Sequence, residues 1–145
     1  MAPRKRQLRY LAAAKADLER LKGDDPRLAD RARAHLKLLE DGRQDGLPLE
    51  LLPRYGDLSD CRKIYFGVTN EPTHRIVYHQ SEDGGVEIAE IVAIESRPEG
   101  YVYLLAASRL GRLPDESKPR FMDLHQKKIG ERSRRQRPPG PTRKR

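Results

Sequence analysis

The sequence predicts an α+β domain in which a β-sheet packs on an N-terminal helical hairpin and precedes a C-terminal helix and a basic tail. Helically spaced apolar residues fill the first 42 positions, and three strand-like runs follow between residues 61 and 96. The 145 residues carry a net charge of +8, and that excess lies in residues 111–145, which hold 12 basic and 4 acidic side chains. This length suits one domain. We therefore predict a domain over residues 1–113 and a basic extension over residues 114–145.

The first strand and two helices are predicted from the spacing of apolar side chains. Alternation over Gln7–Leu11 indicates a short strand, and a helix follows that Gly23 ends. The apolar face of this helix comprises Ala14, Leu18 and Leu21. Asp25 and Pro26 are typical of an N-cap and a first helical residue, so they begin a second helix, which Gly42 ends. Its apolar face comprises Leu28, Ala32, His35, Leu36 and Leu39. The short connection predicts an antiparallel hairpin.

Three runs with strand character follow a connection that is rich in proline and glycine. They are Cys61–Val68, His74–Gln80 and Val86–Ser96. The last two are joined by Glu82-Asp83-Gly84-Gly85, which is a strong hairpin signal because Asp and Gly tolerate positive φ. Short connections of this kind predict an antiparallel meander.

The C-terminal part begins with a predicted helix and ends in a basic segment that contains proline. Tyr101–Leu113 has helical spacing, and Pro114 marks its end. The segment 115–129 has enough apolar side chains for one docked turn or a short helix. Residues 131–145 hold seven basic residues, three prolines and no apolar side chain larger than proline, so we predict disorder from residue 131.

Composition argues against several classes of protein. No stretch approaches the roughly 18 consecutive apolar residues of a transmembrane helix, and the basic N-terminal segment lacks a sustained apolar region. The lone Cys61 cannot form an intramolecular disulfide, and the four histidines are scattered. We therefore expect a cytoplasmic protein with no membrane contact, no metal site and no cofactor.

Basic and aromatic side chains occupy the predicted sheet. Lys63 and Tyr65 share one face of their strand because side chains alternate. Arg75 lies on the next strand, Arg97 follows the third, and Tyr103 comes six residues later. A surface carrying these cations suits a phosphodiester, since Arg offers paired donors and Lys a point charge.

The chain resembles the RelE/ParE superfamily of toxins from bacterial type II toxin–antitoxin systems. The resemblance covers roughly residues 7–110, and its specific parts are DCRKIYF, HRIVY and SRPEGYVY, with the Arg97-to-Tyr103 interval. It implies a compact fold with a curved antiparallel sheet, and a cognate antitoxin protein as partner. The domain over residues 1–113 is thus expected to be RelE/ParE-like.

The RelE-like branch of this superfamily implies a metal-independent endoribonuclease that cleaves mRNA on the ribosome and inhibits translation. By motif position, the resemblance implies four catalytic residues: Lys63, Arg75, Arg97 and Tyr103. It also implies substrate contacts by Arg62 and Tyr65, where Tyr65 departs from the RelE pattern of a second lysine. The implied reaction leaves a 2′,3′-cyclic phosphate and a 5′-hydroxyl, with Tyr103 or Lys63 taking the 2′-hydroxyl proton.

Two alternatives stay open at the level of sequence. ParE-like members of the superfamily inhibit DNA gyrase, and under that reading the last helix and the tail carry recognition. A non-toxic, nucleic-acid-binding relative is the second alternative. The joint presence of charge, acid–base groups and phosphate-binding groups favours the ribonuclease.

Overall fold

The computed structural model describes residues 4–136 of the chain. In chain order, the elements are β1 (Gln7–Tyr10), α1 (Ala12–Asp24), α2 (Pro26–Glu40), β2 (Leu47–Pro48), β3 (Leu51–Leu52), β4 (Gly56–Asp57), β5 (Cys61–Phe66), β6 (His74–Asp83), β7 (Val86–Ser96), α3 (Tyr101–Arg109) and α4 (Lys118–Gln136). Short 3-10 turns cover Pro98–Gly100 and Asp115–Ser117. The predicted α+β class is confirmed.

The main sheet has five strands in the order β1-β7-β6-β5-β2. Strands β5, β6 and β7 form the predicted antiparallel meander. Strand β1 runs parallel to β7, which makes the sheet mixed. Local alternation cannot predict this pairing, because it indicates a strand without saying which neighbour the strand joins. Strands β3 and β4 form a separate two-stranded sheet.

A β-bulge interrupts the pairing of β6 with β7. Val77 lies opposite Ala93, whereas the next residue, Tyr78, lies opposite Ile91, so Val92 is the extra residue. Val92 and Ala93 consequently belong to the same core cluster. Bulges increase local twist, and this one lies in the middle of the sheet that carries the predicted site residues.

Helices cover both faces of the main sheet and enclose two apolar clusters. One cluster joins α1 and α2 to the sheet through Ala14, Leu28, Ala32, Leu36, Leu39, Ile64, Phe66, Ile76, Tyr78, Ala89, Ile91 and Ile94. The other joins α3 and α4 to the opposite face, with Tyr101, Val102, Tyr103, Leu104, Leu105, Phe121 and Leu124 among its members. The predicted helical hairpin therefore packs as expected.

The start of α2 agrees with the sequence prediction, whereas the end of α3 does not. The Asp25 side chain accepts hydrogen bonds from the amides of Arg27 and Leu28, at 3.1 and 3.5 Å, which confirms the predicted N-cap of α2. Helix α3 ends four residues before the predicted Leu113. The reason is Gly111, whose φ of 71° turns the chain out of the helix.

Helix α4 is longer than the docked turn or short helix that the sequence predicts, since it runs for 19 residues to Gln136. Residues 131–136 are helical, where the sequence predicts disorder. Phe121 and Leu124 anchor the start of α4 in the core, and an ion pair from Arg132 to Glu95 holds its later turns. The predicted disorder of residues 137–145 lies outside the described residues. The division of the chain at residue 113 stays a prediction.

Candidate functional site

Strand β5 presents two kinds of side chain on its two faces. Ile64 and Phe66 are buried against the helical hairpin, at 3% and 2% exposure. Lys63 is half-buried and Tyr65 is exposed, and both extend from the opposite face. This is the alternation that the sequence predicts.

The ammonium group of Lys63 lies between two aromatic rings. Its Nζ is 5.3 Å from the ring centroid of Tyr65 and 5.6 Å from that of Tyr103. Tyr103 is only 8% exposed and lies in the first turn of α3. Within residues 4–136, no carboxylate forms an ion pair with Lys63. Its positive charge is therefore stabilised by ring faces rather than neutralised by an acid.

Arg75 extends this arrangement on the neighbouring strand. It lies opposite Tyr65 in the sheet register, and its guanidinium carbon is 4.0 Å from the Tyr65 ring centroid. Its Nη1 donates to the carbonyl oxygens of Pro72 and His74, at 2.6 and 2.9 Å. Its Nε is buried and has no acceptor among the described residues. A buried donor without an acceptor costs free energy, and Arg75 as a whole is only 6% exposed.

Tyr55 joins the same group of side chains, although sequence reasoning missed it. Its ring centroid is 5.4 Å from that of Tyr103. It lies in a turn between β3 and β4, where neither alternation nor helical spacing singles it out. We call Tyr55, Lys63, Tyr65, Arg75 and Tyr103 the Lys63 cluster. A cavity of about 230 Å³ opens beside it, lined by Pro48, Leu49, Glu50, Tyr55, Leu58, Lys63 and Tyr103.

Arg97 lies at the end of β7, on the loop that leads to Tyr103. Its backbone amide donates to the Thr73 carbonyl at 3.1 Å, which joins this loop to the start of β6. The side chain is exposed and makes no side-chain hydrogen bond or ion pair with the rest of residues 4–136. Glu99 and Gly100 follow with φ of 57° and 74°. A non-glycine residue in the left-handed region is uncommon and costs energy, so this loop has a strained backbone.

Arg62 is not brought into the Lys63 cluster. Alternation places it on the opposite face of β5, where its Nη1 donates to the Gly46 carbonyl at 2.7 Å. The Gly46 amide in turn donates to the hydroxyl of Tyr78 at 2.9 Å. Arg62 thus holds the connection before β2. Its predicted contact with substrate stays a prediction.

The chain has one thiol, that of Cys61, and side chains of the types that bind metal ions. No group of three or more His, Cys, Asp or Glu side chains within residues 4–136 is arranged to hold a metal ion. Cys61 is fully buried, and burial raises the pKa of its thiol to about 12. A thiol with so high a pKa is a poor nucleophile at neutral pH. None of the described helices is long and apolar enough to cross a membrane.

The sequence matches the family described as the ParE toxin of type II toxin–antitoxin systems, parDE, over residues 8–101. The chain belongs to this family. The match confirms the predicted RelE/ParE superfamily, and it contains Lys63, Tyr65, Arg75 and Arg97 but ends before Tyr103. A type II toxin of this family implies a cognate antitoxin as partner. No curated protein matches the chain.

Solved structures that are similar to this ParE-family toxin include a RelE and a YoeB/ParE toxin. A double mutant of the E. coli toxin RelE in the free state is 20% identical, with a TM-score of 0.51, and the similarity covers 73% of this chain and 98% of that one. A YoeB/ParE toxin from Agrobacterium tumefaciens is 21% identical, with a TM-score of 0.46, over 62% of this chain and 97% of that one. The likeness to RelE shows a common fold. Because nearly all of RelE is covered, the ParE-family toxin has residues beyond that common fold.

Proposed function

We propose that this toxin is a ribosome-dependent, metal-independent mRNA endoribonuclease that acts in the cytoplasm. The observation that supports this proposal best is the position of Lys63 between the rings of Tyr65 and Tyr103, with Arg75 on the Tyr65 ring. Cations without acidic partners attract phosphate, and a phenol beside an amine supplies acid–base groups. The cavity beside the Lys63 cluster gives room for part of a nucleotide.

The proposed reaction is an internal displacement at phosphorus. The ribose 2′-oxygen forms a bond to the adjacent phosphorus, and the bond from phosphorus to the 5′-oxygen breaks. The 2′-hydroxyl proton goes to the Tyr103 phenolate while Lys63 stays an ammonium ion, or it goes to Lys63 as a neutral amine, which becomes the ammonium ion in this step. The leaving 5′-oxygen takes a proton from water while Arg97 donates a hydrogen bond to it. Arg75 and Lys63 stabilise the charge on the phosphorane. Such preorganised donors are commonly the largest single contribution to catalysis.

The test is primer-extension mapping of mRNA ends in a purified translation reaction. The variants are Lys63→Met, Tyr103→Phe and Arg97→Ala, because each removes one functional group and leaves most of its packing in place. We expect each to lower the cleavage rate by about 100-fold, the usual cost of one preorganised group. The matched control is Arg27→Ala, which removes an 80%-exposed arginine on α2 and should leave cleavage unchanged. Full cleavage by all three site variants would contradict the proposal.

Inhibition of DNA gyrase is a second candidate function, and the match to the ParE family favours it. Under this candidate, the wild-type toxin blocks gyrase supercoiling and induces the DNA-damage response without new mRNA ends. Under the ribonuclease proposal, growth arrest is accompanied by mRNA cleavage, and supercoiling is unaffected. A non-toxic nucleic-acid-binding relative would be harmless when expressed without an antitoxin. One set of expression cultures therefore separates the three.

A further inference from the structure

Helix α4 contacts the segment that carries Arg97. This helix lies after residue 101, where the family match ends. The ring of His125 stacks near Tyr101 and its Nδ1 lies 2.9 Å from the Tyr101 hydroxyl oxygen. One turn later, the Lys128 ammonium donates to the Ser96 hydroxyl at 2.6 Å. Helix α4 therefore lies against the end of β7.

Glu95 lies in the same row of the sheet as Tyr65 and Arg75 of the Lys63 cluster. Three residues form one row across three strands, since Arg75 of β6 lies opposite Tyr65 on one side and opposite Glu95 on the other. Side chains directly opposite each other share a face, with Cβ atoms roughly 5 Å apart. The Glu95 side chain is only 7% exposed. A buried carboxylate needs a cation, and Arg75 is the cation across the strand pair.

Glu95 instead pairs with Arg132 of α4. The second carboxylate oxygen, Oε2, accepts from the Ser96 amide at 2.8 Å. No ion pair joins Glu95 to Arg75, although both residues are described. The Arg75 guanidinium remains on the Tyr65 ring, with its buried Nε unsatisfied. Arg132 thus balances the charge of Glu95, and Arg75 stays on the Tyr65 ring.

We propose that Arg132 is a positioning residue that holds the Glu95 carboxylate and so keeps the Arg75 guanidinium on the Tyr65 ring, within the Lys63 cluster where the proposed reaction uses it. This inference rests on the proposed ribonuclease function for its catalytic consequence. Without Arg132, the buried Glu95 carboxylate loses its ion-pair partner. Two cations of the described residues remain beside it, Arg75 across the strand pair and Lys128, which donates to the Ser96 hydroxyl, and the free energy of Glu95 falls when Arg75 turns to it. Helix α4 then contributes to catalysis without contacting the substrate.

A double-mutant cycle tests the proposal, with the charge-removing variants Arg132→Gln and Glu95→Gln and the double variant. Arg132→Gln should lower kcat for mRNA cleavage by about tenfold or more, since Arg75 is one preorganised donor. Glu95→Gln should stay near wild type, because glutamine keeps an oxygen for the Ser96 amide. In the double variant nothing competes for Arg75, so cleavage should recover. The control is Lys127→Gln, an exposed residue of α4 that gives the same change in net charge.

Two results would overturn the proposal. The first is full cleavage activity of Arg132→Gln. The second is a double variant as impaired as Arg132→Gln, which is expected if Arg132 only stabilises the fold. A second readout does not depend on cleavage, namely the NMR signal of the Arg75 Nε–H group. It should shift in Arg132→Gln and return in the double variant, and an unchanged signal in Arg132→Gln overturns the inference. If the wild type cleaves no mRNA, the proposed function fails, while the Arg75 signal still decides the role of Arg132.

Discussion

Asp17 of α1 and Arg109 of α3 form a two-point ion pair, with oxygen-to-nitrogen distances of 2.5 and 2.9 Å. The pair covers the part of β7 that extends beyond β1. There, the Ile94 amide donates to Asp17 at 3.0 Å, and Arg109 donates to the Val92 carbonyl at 2.9 Å. Asp17 and Arg109 thus satisfy backbone groups that a neighbouring strand would otherwise satisfy.

Removing Asp17 should destabilise the fold strongly. The Asp17 side chain is fully buried, so Asp17→Ala leaves Arg109 without its counter-charge and the Ile94 amide without its acceptor. Breaking a buried pair in this way costs about 3–5 kcal/mol in the free energy of unfolding. Urea denaturation followed by circular dichroism measures it. The control is Asp30→Ala, whose side chain is 76% exposed in its pair with Arg33, and equal losses for the two variants would contradict the expectation.

The sequence predicts the elements that such pairs connect, but not the pairs. Spacing identifies the apolar face of α1 because Leu18 and its neighbours repeat with the helical period. Asp17 is 92 positions from Arg109, and no local pattern links them. The same holds for Glu95 and Arg132. Alternation correctly predicts the face of Lys63 and Tyr65, whereas Tyr55 reaches the Lys63 cluster through a turn that has no periodic signal.

Gly100 is expected to be essential for the geometry of the Lys63 cluster. Its φ is +74°, and a Cβ atom at this position would overlap the Tyr55 hydroxyl. Gly100→Ala should therefore move Tyr55 away from Tyr103, lowering both cleavage and stability.

The matched control is Gly84→Ala, which has φ of +57° and open space around the added Cβ. Backbone strain alone, about 1–2 kcal/mol, applies to both variants. Thermal unfolding and mRNA cleavage are measured for each. The interpretation would be wrong if Gly84→Ala reduced cleavage as much as Gly100→Ala.

His74 should make the fold less stable in mild acid. Burial, and then the nearby charge of Lys128, lowers the pKa of His74 to about 4, while Asp25 opposes and Arg75 adds to this shift. An unfolded histidine has a pKa of about 6.5, so the unfolded chain binds the proton first as the pH falls. The free energy of unfolding should therefore decrease from about pH 6.5 to pH 4 and lose nothing further from this group below that.

His74→Gln removes the titrating group, so the variant should lose less stability than wild type between pH 7 and pH 4. Chemical denaturation at several pH values gives the two curves. Parallel curves for wild type and His74→Gln would show that another group causes the acid sensitivity.

Residues 137–145 should strengthen the attraction of the toxin to ribosomal RNA. They contain four basic residues and no acidic ones, and the whole net charge of the chain lies after residue 110. Neutralising phosphates with lysine and arginine releases counterions, so the affinity depends on salt. Replacing residues 137–145 by an uncharged Gly/Ser segment of equal length should weaken binding to ribosomes at low salt and reduce its salt dependence.

In this variant, the loss of cleavage should be no larger than the loss of ribosome binding. The reason is that the proposed chemistry lies in residues 1–110, whose net charge is zero. Binding is measured by sedimentation with ribosomes over a range of potassium chloride, and cleavage by primer extension at a saturating toxin concentration. Equal ribosome affinity for the two tails at all salt concentrations would remove the tail from recognition. Lost cleavage at saturation would instead place part of the tail in the chemical step.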